Sequence, residues 1–132
     1  SCAEIWARLA QCGGGTDTQG LTVDTSFYEQ PEKLADGSIA HITRANLTLE
    51  NRFSAAYQDM GRVYAHYIRM MENAVGQKPN RMIFCGGAVR NNPMIRSALE
   101  RAVGLPSMLS ASADEVHEGM LQLARKIEAQ NA

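Results

Sequence analysis

The stretch Arg81-Met82-Ile83-Phe84-Cys85-Gly86-Gly87-Ala88-Val89-Arg90-Asn91-Asn92-Pro93 decides the fold. Its first five residues are nearly all apolar, the pattern of a β-strand covered on both faces, as in parallel sheets. Gly86-Gly87 breaks the strand. Asn92-Pro93 then opens a helix, with Asn as cap and Pro at the first helical position, where its missing N–H costs nothing. Met94, Ile95, Ala98, Leu99, Ala102 and Val103 recur at helical spacing, predicting a helix over 92–103. Gly104 and Pro106 stop it, and Ser107-Met108-Leu109 reads as a second short strand. Strand, helix, strand in that order predicts parallel strands with helices packed against them.

Upstream, Phe53, Ala56, Tyr57, Met60, Tyr64, Tyr67, Ile68, Met71 and Val75 recur at steps of three and four. A long amphipathic helix over 49–75 is expected, with Thr48 as N-cap and Gly76 with Pro79 closing it. Gly61 inside it costs about 1 kcal/mol against Ala, which suits a close approach of another backbone. Further upstream, residues 3–11 read as a helix carrying Ile5, Trp6 and Leu9, ended by Cys12-Gly13-Gly14-Gly15. Leu21-Thr22-Val23 and Ser38 to Thr43 read as strands, separated by a loop with Pro31 and the Asp36-Gly37 turn. Downstream, Ser112-Ala113-Asp114-Glu115 has capping-box form, and the last helix carries Val116, Met120, Leu123, Ala124 and Ile127 on one stripe.

Composition sets the outer bounds. The chain has 132 residues, 45% hydrophobic and 20% charged, so it fits one soluble globular domain over 1–132 and excludes disorder. A net charge of −1 supplies no field for nonspecific nucleic-acid or anionic-membrane binding. No apolar run spans a bilayer. Three cysteines, with no C-x-x-C pair, fit a reducing, cytoplasmic setting better than a disulfide framework. The chain opens on Ser1, the pattern of a processed fragment or of Met removal.

The glycine turn is the richest candidate site. In open α/β sheets ligands gather beyond the carboxyl ends of the strands. Paired glycines let a ligand approach the backbone. Exposed N–H groups at the start of the following helix suit polar ligand atoms. The Asn91 carboxamide offers both a donor and an acceptor to a base or ribose. The same residues also serve as a tight strand-to-helix turn with no ligand, and the motif is neither G-x-G-x-x-G nor a P-loop. Other signals have plain structural readings. Asp24 reads as a loop cap. Gly13-Gly14-Gly15 reads as a connector. His41, His66 and His117 lack metal-ligand spacing, Cys85 reads as a small core residue, and the Tyr and Met stripe over 57–71 reads as core, with an interdomain or subunit surface as its alternative.

Met82 to Asn92, then Gly104-Leu105-Pro106 and Gly119, resembles the end of FGGY-family carbohydrate kinases. Phe27, Pro31, Gly37-Ser38-Ile39, Ile42 and Asn46 are most similar to the sedoheptulokinase branch. Tyr28-Glu29-Gln30 and Gly119-Met120-Leu121 depart from the family pattern. The resemblance covers nearly the whole chain but only the last third or so of a typical member. It implies an α/β fold: part of a ribonuclease H-like, actin-like ATPase domain, with a mixed or parallel sheet flanked by helices and its opening strands absent. It further implies ATP and Mg2+ as cofactors and a sugar or polyol as acceptor. By that match Gly86, Gly87, Ala88 and Asn91 are expected to contact adenosine. The catalytic Asp, phosphate loop and sugar pocket would precede Ser1. This chain alone would then be inactive, would pair with an N-terminal kinase domain, and would be prone to self-association. A noncatalytic nucleotide- or protein-binding module of the same fold is the other reading.

Overall fold

A computed structural model describes residues 4, 5, 7, 17–26, 36–112 and 114–130. Its elements run β1 (Thr22–Asp24), β2 (Ser38–Ala40), α1 (Leu49–Val75), β3 (Met82–Phe84), α2 (Gly87–Asn91), α3 (Pro93–Val103), β4 (Ser107–Leu109) and α4 (Glu115–Gln130). Of the helix expected over 3–11, Glu4, Ile5 and Ala7 are helical. Trp6, Leu9, the Cys12–Gly15 turn, Cys2, Phe27, Tyr28 to Gln30 and Pro31 lie outside the described residues.

The parallel unit forms as the sequence predicts. β3 and β4 pair in parallel, Met82 opposite Ser107 and Phe84 opposite Leu109, with α3 as the crossover. Asn92 caps α3, its Oδ1 accepting from the Met94 and Ile95 amides at 3.0 and 3.4 Å. Gly104 closes α3 in the left-handed conformation, and Gly76 closes α1 the same way. The 27-residue α1 starts at Thr48, whose Oγ1 accepts from the Asn51 amide at 3.1 Å. α1 packs along α3, where a Cβ on Gly61 would stand 2.9 Å from the Ala98 carbonyl oxygen. The glycine therefore marks the close helix approach expected of it.

The core holds Tyr57 from α1, Phe84 from β3 and Met94, Ile95, Ala98 and Leu99 from α3. The Tyr57 hydroxyl accepts from Asn92 Nδ2 at 2.9 Å, so one asparagine both caps α3 and joins it to α1. Burial raises the Tyr57 phenol above its ordinary value of 10.0, while the Asn92 hydrogen bond pulls it back. The fold thus favours the protonated ring. The stability this contributes is full below pH 10.0 and drains as pH climbs towards the folded value. The thermal midpoint should fall more steeply above pH 10.0 in the native chain than in Tyr57→Phe. At neutral pH that variant should lose about 1 kcal/mol, because the buried Asn92 amide loses its acceptor. Melting curves between pH 7 and 11 check both expectations.

A second, antiparallel pair, β1 with β2, lies against α1. Its organiser is Asn46, which is fully buried. Asn46 Oδ1 accepts from the Thr43 amide at 2.7 Å, and Nδ2 donates to the carbonyls of Gln19 and His41 at 3.1 and 2.9 Å. Among the described residues, Gln19 and His41 are the non-glycine residues with positive φ, +51° and +58°. One side chain thus holds two turns in a backbone region that side chains disfavour. His41 also cuts the second strand short, at Ala40 rather than Thr43. Asp59 on α1 accepts from the Thr25 amide and hydroxyl at 2.8 and 2.7 Å, anchoring the end of β1.

Several sequence readings need correction. β3 is covered on one face only: Phe84 is buried, but Ile83 is 57% exposed, as are much of Met108 and Leu109. Among the described residues nothing pairs with the other edge of β3. Cys85 is exposed, because it follows the last paired residue of the strand. The Tyr and Met stripe of α1 is core only in its first half, since Tyr64, Met70 and Met71 are exposed. The cap of α4 is Asp114, not Ser112: Asp114 Oδ1 accepts from the His117 amide at 3.0 Å. Ser112 Oγ instead accepts from the Asp114 amide at 3.1 Å, in the turn before the helix. The stripe Val116, Met120, Leu123 and Ile127 forms as predicted but is bare.

Candidate functional site

The carboxyl ends of β3 and β4 open onto two loops, the glycine turn after Phe84 and residues 110–112 after Leu109. At the turn, Gly86 has φ +87°, a backbone that β-carbon-bearing residues resist. The chain then winds into the five-residue α2, an element the sequence reading did not contain. Gly86, Gly87, Ala88 and Asn91 are all exposed. A Cβ on Gly87 would meet only Asn91 Nδ2, at 3.9 Å, so the turn's surface is open and the Asn91 carboxamide borders it. Of the expected site residues, Gly87 and Asn91 therefore lie side by side on α2, with Gly86 and Ala88 next to Gly87 in the chain.

Two arginines hold this turn in place. Arg96 Nη1 donates to the carbonyls of Val89 and Arg90 at 2.7 and 2.8 Å, filling the acceptors that the short α2 leaves open. Arg90 Nη2 donates to the carbonyl of Ser110 at 2.9 Å and also to that of Ser112. Neither role was read from the sequence. A signal existed for Arg96: a cation in the first turns of a helix opposes the helix dipole, which points to a job elsewhere. Asn92 was read as a cap, but its second bond, to Tyr57, was not. A buried carboxamide whose oxygen caps a helix still has an amide to satisfy.

The other candidates resolve as structural parts. Asp24 Oδ1 accepts from the Ser26 amide at 2.9 Å, the loop-capping role expected of it. His41, His66 and His117 are exposed. Among the described residues no three His, Cys, Asp or Glu side chains come together to hold a metal ion. No described helix is long and apolar enough to cross a membrane. An open apolar cavity of about 320 Å³ lies against β3, lined by Tyr64, Ile68, Phe84, Leu99 and Val103 among others, with Cys85 and Val89 at its glycine-turn end.

No protein-family profile matches the sequence, and no curated protein matches it. Among solved structures, the xylulose kinase from Rhodospirillum rubrum is similar in shape, with a TM-score of 0.66 at 16% identity over 78% of this chain. The chain spans 21% of that kinase. The likeness is one of fold, and it supports the α/β class expected of the sequence: helices on a parallel strand pair, arranged as in part of a carbohydrate kinase.

Proposed function

We propose that this chain is the C-terminal, adenine-nucleotide-binding part of an ATP-dependent carbohydrate kinase. The observation that carries the reading is the exposed turn Gly86-Gly87-Ala88, with Asn91 beside it, at the carboxyl end of a parallel strand in a fold shared with xylulose kinase. The open backbone suits the flat face of a nucleoside, and the Asn91 carboxamide supplies a donor and an acceptor to its edge or ribose. Mg2+ would come with the phosphates of ATP, and phosphoryl transfer to a sugar hydroxyl would rest on charge neutralisation and alignment supplied by a preceding domain. Sedoheptulose or a related ketose or polyol is the acceptor the sequence resemblance favours, and the cytoplasm is the setting. In this reading the bare residues Ile83, Met108 and Leu109 would face the rest of the enzyme.

Titration of the chain with ATP, followed by amide NMR, tests the proposal. The largest shifts should fall at residues 86–91. Gly87→Val should fold normally, since a Cβ there meets only Asn91 Nδ2 at an ordinary contact distance of 3.9 Å, and should abolish those shifts. Asn91→Ala should weaken binding by about 1 kcal/mol, the worth of one hydrogen bond. Unchanged ATP affinity in a folded Gly87→Val would sink the assignment. Sugar-dependent ADP release by the chain alone should be absent. A noncatalytic protein-binding module is the second reading, favoured by the bare stripe of α4. Shifts confined to α4 and β3–β4 on adding a protein partner, with none on adding ATP, would select it.

A further inference from the structure

We propose that Arg90 is a positioning residue that joins the glycine turn to the loop after β4, making the two loops one rigid rim of the nucleotide site. The inference rests on the nucleotide reading of that turn. Its structural basis is separate. Parallel strands end side by side, so the loops after β3 and β4 leave the sheet as neighbours. Nothing in the strand ladder fixes one loop against the other beyond its last bond, from the Ser110 amide to the Phe84 carbonyl at 2.9 Å. Arg90 crosses this gap. From α2 its guanidinium donates to the Ser110 and Ser112 carbonyls, two acceptors on the far loop.

The far loop is itself ordered by side chains. Ser110 Oγ accepts from the Ser112 amide at 3.2 Å, Ser112 Oγ from the Asp114 amide at 3.1 Å, and Asp114 then caps α4. On the near side, Arg96 holds the carbonyls of Val89 and Arg90. The guanidinium of Arg90 is thus committed to carbonyls of the second loop while its own backbone is fixed by the first helix turn of α3. A charged donor with two carbonyl acceptors is among the stronger hydrogen-bonding arrangements a protein offers. Both bonds leave one nitrogen, Nη2, whose N–H groups are fixed in the guanidinium plane. The ammonium of Lys keeps the charge and the donors but rotates freely on its stem, so it holds the two carbonyls less firmly.

The test uses the full chain and two variants, Arg90→Met and Arg90→Lys. Amide hydrogen exchange is measured at residues 86–91 and 110–112, and binding is titrated with adenosine and with ATP. In Arg90→Met both loops should exchange about tenfold faster together while α1 is unchanged, and adenosine and ATP should both weaken about tenfold. Arg90→Lys should recover part of each loss. Equal loss for the neutral and the charged ligand marks positioning. Loss for ATP alone would make Arg90 a phosphate contact and overturn the proposal, as would unchanged exchange in either loop. If the native chain binds neither ligand while Arg90→Met frees both loops, the nucleotide reading falls and the link between the loops stands. If Arg90→Met binds as the native chain does, this inference falls alone. Should Arg90→Met fail to fold, Arg90→Lys carries both measurements.

Discussion

Asn46→Asp should cost about 4 kcal/mol of stability, a large part of the 5–15 kcal/mol that holds a typical domain together. The change is nearly isosteric, so packing is spared. What it removes is the side-chain amide that donates to the Gln19 and His41 carbonyls. What it puts there is an oxygen facing those oxygens, in a site with no solvent exposure. Each buried group left unsatisfied costs about 1–3 kcal/mol, and a charged one more. The two carbonyls also belong to residues with positive φ, which relax once released. Loss should begin at the β1–β2 end, which these turns close. Urea unfolding of Asn46→Asp beside Asn46→Ala measures it. Because the folded site penalises the carboxylate, stability of the Asp variant should recover as pH falls and the group takes up a proton. A variant as stable as the native chain at neutral pH would show that Asn46 is not the organiser described.

Gly61→Val should also be strongly damaging, at about 3 kcal/mol, the upper end of the usual cost of overpacking a well-filled contact. The first added carbon already stands 2.9 Å from the Ala98 carbonyl oxygen and 3.0 Å from Ala102 Cβ. The nearer atom is backbone and cannot turn aside, so α1 and α3 must part. They carry most of the core between them, including Tyr57, Ile95, Ala98 and Leu99. Gly61→Ala sets an instructive contest. Helix propensity favours alanine by about 1 kcal/mol, and the clash opposes it. The distances favour the clash, giving a stability order of glycine, alanine, valine. Adding Ala102→Gly should rescue part of the alanine loss, since it removes the 3.0 Å contact but leaves the carbonyl. Denaturant midpoints of the four proteins give the order directly.

Local signals in the sequence read well where chemistry acts over a few residues. Thr48, Asn92, Gly76 and Gly104 announced their helix ends, because caps and left-handed closures need particular side chains at particular places. Gly61 announced a close approach, because a glycine inside a long helix otherwise only costs stability. The exposed glycine turn between β3 and the helices that follow was legible in the order of apolar run, glycine pair and helix cap. Long-range partners were not legible. Nothing near Arg90 in sequence points to Ser110 or Ser112, and nothing near Asn92 points to Tyr57; those pairings come from the crossover and from the packing of α1 on α3. Burial was misread at Cys85 and Ile83 for a related reason. An apolar run shows what a strand can cover, and the covering has to come from elements elsewhere in the chain.

The crossover also bears on the order in which the molecule assembles. Met82 meets Ser107 after one short crossover through α2 and α3, so closing β3 onto β4 spends little chain entropy. That unit carries its own caps at Asn92 and Gly104. α1 joins through contacts more distant along the chain, Gly61 on Ala98 and Tyr57 on Asn92. We therefore expect residues 82–109 to form the early, locally connected part of the folding transition state, with α1 recruited onto it. The β1–β2 pair, which docks on α1 through Asp59, would come last and leave first. The segment bearing the glycine turn is then the oldest structure in each folding event, with its geometry in place before the rest of the chain has settled around it.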